Sequence, residues 1–293
     1  MKKTKLKPFI EVMRINQWIK NLILFTPLFS LGIFEVSKIL FLSKIFVGFS
    51  LLVSSTYILN DLIDVQSDME HPEKYKRPVA SNIFPIIYWK IFALNLFFLG
   101  NLLLYFLNKE ALLISTIYAA ISISYTFYLK YLKFTDILAI PILFILRVFI
   151  GAVTFKIEPS FYLLTFIFSV SFGIACSKKY SILTNVDIKK SKVKDVLKKN
   201  YSVKFLINLI YISFNTGLLT YLSWIYFEKF NKIDSIKFIF LVISFLLLII
   251  FTNSFIKHTK LGKSEDFLSL LLKSKVMFFL SLSFIISSVF GLS

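Results

Sequence analysis

What most limits how this chain can fold is the recurrence of apolar runs about 20 residues long, separated by short polar breaks, because an α-helix of that length crosses a hydrocarbon core of roughly 30 Å. The runs predict nine spans, at approximately residues 17–34, 39–60, 85–107, 110–128, 134–155, 160–177, 203–227, 236–256 and 275–292. Apolar and polar residues do not alternate along them, so the spans are expected to be helices and not strands of a closed barrel. With 57% hydrophobic and 17% charged residues, the chain is too apolar for a soluble domain of 293 residues. The expected fold is an all-α polytopic membrane protein, a single domain over residues 1–293. The first run is interrupted by Pro27, yet no small-residue cleavage site follows it, so it is read as a span and not as a removed signal.

Nine spans place the two chain ends on opposite sides. Of the 34 basic residues, 25 fall on the side of the N-terminus and only seven on the other, namely Lys38, Lys44, Lys109, Lys156, Lys229, Lys232 and Lys237. This asymmetry predicts a cytoplasmic N-terminus and a multi-pass protein of the cell inner membrane. The net charge of +18 borders apolar spans and forms no stripe interleaved with exposed aromatics. Membrane lipids with anionic headgroups are therefore its expected counter-charge, and nucleic acid is excluded as a partner. The lone Cys176 cannot form an intrachain disulfide and reads as a small apolar filler.

The chemistry concentrates after the second span. Asn60-Asp61-Leu62-Ile63-Asp64-Val65-Gln66-Ser67-Asp68 places acids at i, i+3 and i+7, one face of a helix if the end of that span stays helical. Carboxylates converging there would repel one another unless a cation sat between them. A hard divalent cation that keeps open positions for substrate phosphates is usually Mg²⁺, so Asp61, Asp64 and Asp68 are the expected metal ligands, with Asn60 beside them. The next stretch, His71-Pro72-Glu73-Lys74-Tyr75-Lys76-Arg77-Pro78-Val79-Ala80-Ser81, adds cations directly after the acids. Lys74 and Arg77 would neutralise the phosphate charge that the metal leaves over, and the prolines would stiffen the loop. His71 is read as a loop or capping residue and not as a ligand.

Other polar groups sit within or beside the spans. Arg147 lies inside the fifth, where a charge is costly unless it faces a polar interior; a functional role is expected, with a structural ion pair to Asp136 as the alternative. Tyr125 and Lys130 close the fourth span and could reach the same cavity or simply mark the interface. His258, Glu265 and Asp266 have neither zinc nor acid–base spacing and read as solvated.

The run from Asn60 to Ser81 resembles the cytoplasmic motif of the UbiA prenyltransferase superfamily, and its extended form NDxxDxxxDxxHPxKxxRPxAS resembles more narrowly the decaprenyl-phosphate phosphoribosyltransferase branch. Arg14-Ile15-Asn16-Gln17-Trp18-Ile19-Lys20-Asn21 is similar to that branch's start of span one, and Leu146-Arg147-Val148-Phe149-Ile150-Gly151-Ala152 to its span five. The resemblance implies a nine-helix UbiA-like bundle with a cytoplasm-facing active-site cavity, and transfer of 5-phosphoribose from phosphoribosyl diphosphate to a polyprenyl phosphate with Mg²⁺. Lys20 and Asn21 are then expected phosphate contacts, while Arg14, farther out, is read as a headgroup contact. The sequence leaves open whether copies assemble into a homo-oligomer.

Two departures stand out. Prenyl-diphosphate transferases of the superfamily carry a second DxxxD after span six, whereas this loop begins Ser177-Lys178-Lys179-Tyr180 and is strongly basic. Lys178 and Lys179, nearest the span end, are the expected direct phosphate contacts there. Asn82 stands where the branch usually has glycine, which bears on the local turn. A prenyltransferase acting on an aromatic or quinone-precursor acceptor shares the fold and the first motif; a transporter or lipid-binding protein is disfavoured by the scarcity of ionisable groups near the midplane.

Overall fold

The computed structural model describes residues 6–70, 74–185, 192–230 and 232–293. His71, with its expected loop role, lies outside them. All regular structure among the described residues is helical: α1 Lys7–Val12, a 3-10 segment Ile15–Phe25, α2 Thr26–Ser30, α3 Val36–Ile63, α4 Val65–Met69, α5 Ile86–Leu107, α6 Lys109–Phe127, α7 Thr135–Thr154, α8 Phe161–Thr184, α9 Lys192–Asn200, α10 Val203–Trp224, α11 Ser235–Lys260, α12 Phe267–Lys273 and α13 Lys275–Leu292. Among the described residues eight helices are long and apolar enough to cross a membrane: α3, α5, α6, α7, α8, α10 with its extension to Lys229, α11 and α13. These match the second to ninth expected spans. The main shift is at α8, which runs past 177 to Thr184 because Lys178 and Lys179 continue the helix beyond its apolar window.

The first expected span is not one α-helix. Its 3-10 segment gives way to α2 at Pro27, whose missing N–H and ring are incompatible with an α-helical bond to the Ile23 carbonyl. Thr26 takes over that carbonyl with both its backbone N–H and its hydroxyl, the latter at 2.7 Å.

The chain divides into two compact units. The first holds the described residues up to Thr26 together with Glu35–Lys130 and Leu146–Glu158; the second holds Pro27–Phe34, Tyr131–Ile145 and Pro159–Ser293. In the first, α3 packs on α5, on α6 and on the 3-10 segment. Lipid tails are as apolar as leucine, so close packing of small residues, and not apolar burial alone, holds such helices together. A Cβ at Gly100 of α5 would lie 2.7 Å from the Gly48 carbonyl oxygen of α3. Below the acidic motif, Val12, Ile58, Val79, Trp89 and Leu96 form a buried cluster, with Phe9 against the rings of Phe84, Trp89 and Phe92. That cluster fixes the loop 74–84 on α1, α3 and α5. Asn82 adopts φ +52°, a left-handed turn that asparagine tolerates better than other residues with a side chain, so the absent glycine is accommodated.

In the second unit α8 packs on α10 and α11 on α13, again through glycines: Gly173 faces Ser213 and Phe214, and Gly291 faces Leu241. Large apolar side chains such as Ile87, Ile91, Leu94, Phe98, Leu246 and Ile250 remain exposed along the spans, as a lipid-facing surface requires.

Candidate active site

The acids do not share one unbroken helix. α3 ends at Ile63, Asp64 caps it at φ −87° and ψ 8°, and α4 begins at Val65. This break separates the motif into two groups. Asp61 and Asp68, both buried, are brought together by Arg77, whose Nη1 donates to Asp61 Oδ1 at 3.1 Å and to Asp68 Oδ2 at 2.7 Å. Arg14 donates to the same Asp61 oxygen and lies 5.4 Å from the Tyr57 ring. Asp64 instead accepts from Lys130 Nζ at 2.6 Å, which ties the C-terminal end of α3 to the residues after α6. Asn60 accepts from the Thr126 hydroxyl at 3.3 Å, one turn earlier along the same seam.

Arg14 therefore pairs with a motif acid, a contact that its reading as a headgroup residue did not anticipate. It was hidden because its side chain is delivered by a left-handed backbone, φ +52°, at the start of the 3-10 segment. Its membership in the segment Arg14 to Asn21 was the available signal. Lys74 is half-buried in a 3-10 turn whose carbonyl accepts the Arg77 N–H at 2.9 Å. Tyr125 is half-buried on α6, and Lys20 is half-buried with no ion pair among the described residues. A cavity of about 250 Å3 opens beside the two guanidiniums, lined by Glu11, Arg14, Asn16, Gln17 and Arg77.

Arg147 and Asn21 form a separate, deeper node. Arg147 Nε donates to Asn21 Oδ1 at 3.0 Å and Nη2 donates to the Tyr118 hydroxyl at 2.7 Å, while Asn21 donates to Ser50 at 2.9 Å. All four residues are buried. Ser50 precedes Asp61 on α3 by enough turns to place this node about 16 Å from the acids along the axis. Similarly, about 16 Å of helix separates Arg147 from Asp136 on α7, out of reach for the alternative ion pair. The two segments that resembled the phosphoribosyltransferase branch outside the acidic motif are thus packed on each other, and Gly151 is required there: a Cβ would sit 1.8 Å from the Leu24 carbonyl oxygen.

In the second unit Asp136 has its own partners. Lys179 lies 2.9 Å from Asp136 Oδ2, and the Tyr201 hydroxyl donates to Oδ1 at 2.6 Å while accepting the Phe134 N–H at 2.6 Å. Burial, and then the hydrogen bond to Asp136, push the Tyr201 hydroxyl up from its ordinary value, so it remains a donor at neutral pH. Lys179 is buried in this pair, which differs from the direct phosphate contact expected of it; Lys178 is exposed. Asp266 is a helix cap, accepting from Leu268 N–H at 3.2 Å.

Among the described residues no three acidic, histidine or cysteine side chains converge on one metal position. Two of the three motif acids do share a cation, since Asp61 and Asp68 both grip Arg77, and every donor there is a carboxylate oxygen. That chemistry fits a hard divalent ion.

A multi-pass helical membrane protein with a dense cluster of matched carboxylates and guanidiniums at one end of its spans is the class these features define. The chain belongs to the UbiA prenyltransferase family, whose profile matches residues 22–282. It is 32% identical over 185 residues to the decaprenyl-phosphate phosphoribosyltransferase of Mycobacterium tuberculosis, covering 59% of each chain. It is 30% identical over 175 residues to the uncharacterized protein y4nM of Sinorhizobium fredii, covering 59% of this chain and 34% of that one. The chain thus spans about a third to three fifths of the length of these relatives. Its fold matches the structure of a UbiA homolog from Archaeoglobus fulgidus bound to GPP and Mg2+, with a TM-score of 0.63 at 11% identity, covering 97% of this chain and 98% of that one.

Proposed function

We propose that this protein is a Mg²⁺-dependent transferase that moves 5-phosphoribose from phosphoribosyl diphosphate to a polyprenyl phosphate at the cytoplasmic face of the inner membrane. The observation that carries this reading is the shared grip of Arg14 and Arg77 on Asp61, with Asp68 on the other side of Arg77. Carboxylates and guanidiniums interleaved at this spacing suit a metal-bound diphosphate, with the acids toward the metal and the guanidiniums toward the phosphate oxygens. The similarity to a decaprenyl-phosphate phosphoribosyltransferase supports phosphoribosyl diphosphate as the donor.

Asp61 and Asp68 would hold the metal, and Asp64 would join them on release from Lys130. Bound there, Mg²⁺ supplies Lewis acidity that stabilises the departing diphosphate. Arg14 and Arg77 orient the diphosphate, and Lys130, paired with Asp64, would add further positive charge, with Lys74 three residues before Arg77. The bond from the anomeric carbon to diphosphate oxygen breaks, and an oxygen of the lipid phosphate forms the new bond. That oxygen is already anionic at neutral pH, so no general base is needed and positioning carries the catalysis. The Arg147 node lies too deep to touch the diphosphate; it holds the 3-10 segment in register.

The test offers purified protein in detergent two donor pairs with Mg²⁺, phosphoribosyl diphosphate with polyprenyl phosphate, and prenyl diphosphate with an aromatic acid. Mass spectrometry of the lipid phase should find the phosphoribosyl polyprenyl phosphate in the first. A product only in the second would replace this reading with prenyl transfer.

A further inference from the structure

The 3-10 segment sorts its side chains into three rows, because with three residues per turn positions i and i+3 stack. Trp18, Asn21 and Leu24 form the row packed inward, with Trp18 Nε1 donating to Ser54 at 3.0 Å and Asn21 to Ser50 at 2.9 Å. Asn16, Ile19 and Leu22 form an exposed row. Gln17, Lys20 and Ile23 form the third, half-buried row. In an α-helix Gln17 and Lys20 would diverge by about 60°, whereas here they stack about 6 Å apart.

Gln17 lines the cavity of about 250 Å3 together with Arg14, Arg77, Glu11 and Asn16. Neither the Gln17 nor the Asn16 side chain makes a hydrogen bond among the described residues. The wall therefore has two kinds of chemistry. Guanidiniums suit phosphate oxygens. Free carboxamides and a carboxylate suit neighbouring hydroxyls, since an amide both donates and accepts and a carboxylate accepts from two donors. An isoprenoid chain would use none of these groups and would leave them desolvated and unpaired.

From this geometry we infer that the cavity is the sugar subsite of the donor, with Gln17 the residue that distinguishes a phosphorylated sugar from an isoprenoid. The inference rests on the phosphoribosyl reading above and adds to it the part of the chain that enforces the choice. A site built to bond hydroxyls rejects an analogue lacking them far more strongly than an apolar pocket rejects a change in size.

The experiment measures binding, in Mg²⁺, of phosphoribosyl diphosphate and of inorganic diphosphate to the full chain in detergent. Gln17→Leu keeps the size and loses the amide; it should weaken phosphoribosyl diphosphate at least tenfold and leave inorganic diphosphate within twofold, which also certifies that the variant is folded. Glu11→Gln, at an exposed position, should give the same pattern at smaller amplitude. Unchanged phosphoribosyl diphosphate binding in both variants, or a loss shared equally by the two ligands in both, would overturn the subsite. Wild-type protein that binds prenyl diphosphate more tightly than phosphoribosyl diphosphate would instead overturn the donor reading, and the subsite with it.

Discussion

Arg77 reaches across the break between α3 and α4 to place one nitrogen 2.7 Å from Asp68, and the same nitrogen serves Asp61. The two acids are buried, so removing their shared cation leaves carboxylates that water cannot easily reach. Arg77→Ala should therefore lower the thermal stability of the detergent-solubilised protein, by about 1–3 kcal/mol for groups still partly compensated by Arg14. If these oxygens also take a divalent ion, Mg²⁺ should restore more stability to the variant than it adds to the wild type. A melting curve of the variant that ignores Mg²⁺ would count against the shared site.

Lys130 and Asp64 form a pair at 2.6 Å that is only partly shielded, so it contributes little to folding. Lys130→Met should melt within a degree or two of the wild type, on the order expected for a loss below about 1 kcal/mol. Its turnover should nevertheless fall about tenfold or more, because the lost cation faces developing negative charge on the leaving diphosphate. Equal turnover in the variant would remove Lys130 from the site.

Gly151 faces the Leu24 carbonyl with no room for a side chain. The obstacle is backbone, which cannot swing aside. Gly151→Ala should lose well-folded protein in size-exclusion chromatography, whereas Gly217→Ala, facing a side-chain methyl of Val170 at 3.2 Å and no backbone atom, should be milder.

The orientation is open to direct labelling, since the single native cysteine, Cys176, is buried and should be silent. In intact cells an impermeant maleimide should spare Lys7→Cys and modify Lys232→Cys. The opposite pattern would reverse the proposed topology.

Most of the spans and the acidic motif were legible because apolar length and carboxylate spacing are local properties of the sequence. What escaped depends on single backbone torsions and on partners far along the chain. The bend at Asp64 sends that acid to Lys130 while its neighbours go to Arg77, and the left-handed Arg14 turns a residue read as a headgroup contact onto Asp61. Pro27 was read correctly as an interruption, but not that the helix before it would tighten to 3-10 geometry. Lys179 shows the limit of reading charge from a loop: it was expected to face phosphate and is instead sequestered by Asp136, far away in sequence on α7 but adjacent in the fold.

The most direct measurement of the central claim is the initial rate of phosphoribosyl transfer to polyprenyl phosphate by Asp61→Asn and wild-type protein across a Mg²⁺ titration. The wild type should rise from near zero to a plateau with added Mg²⁺, and Asp61→Asn should stay at least a hundredfold lower throughout, about 2.7 kcal/mol of lost transition-state stabilisation. An Asp61→Asn enzyme that reaches the wild-type plateau would contradict the account.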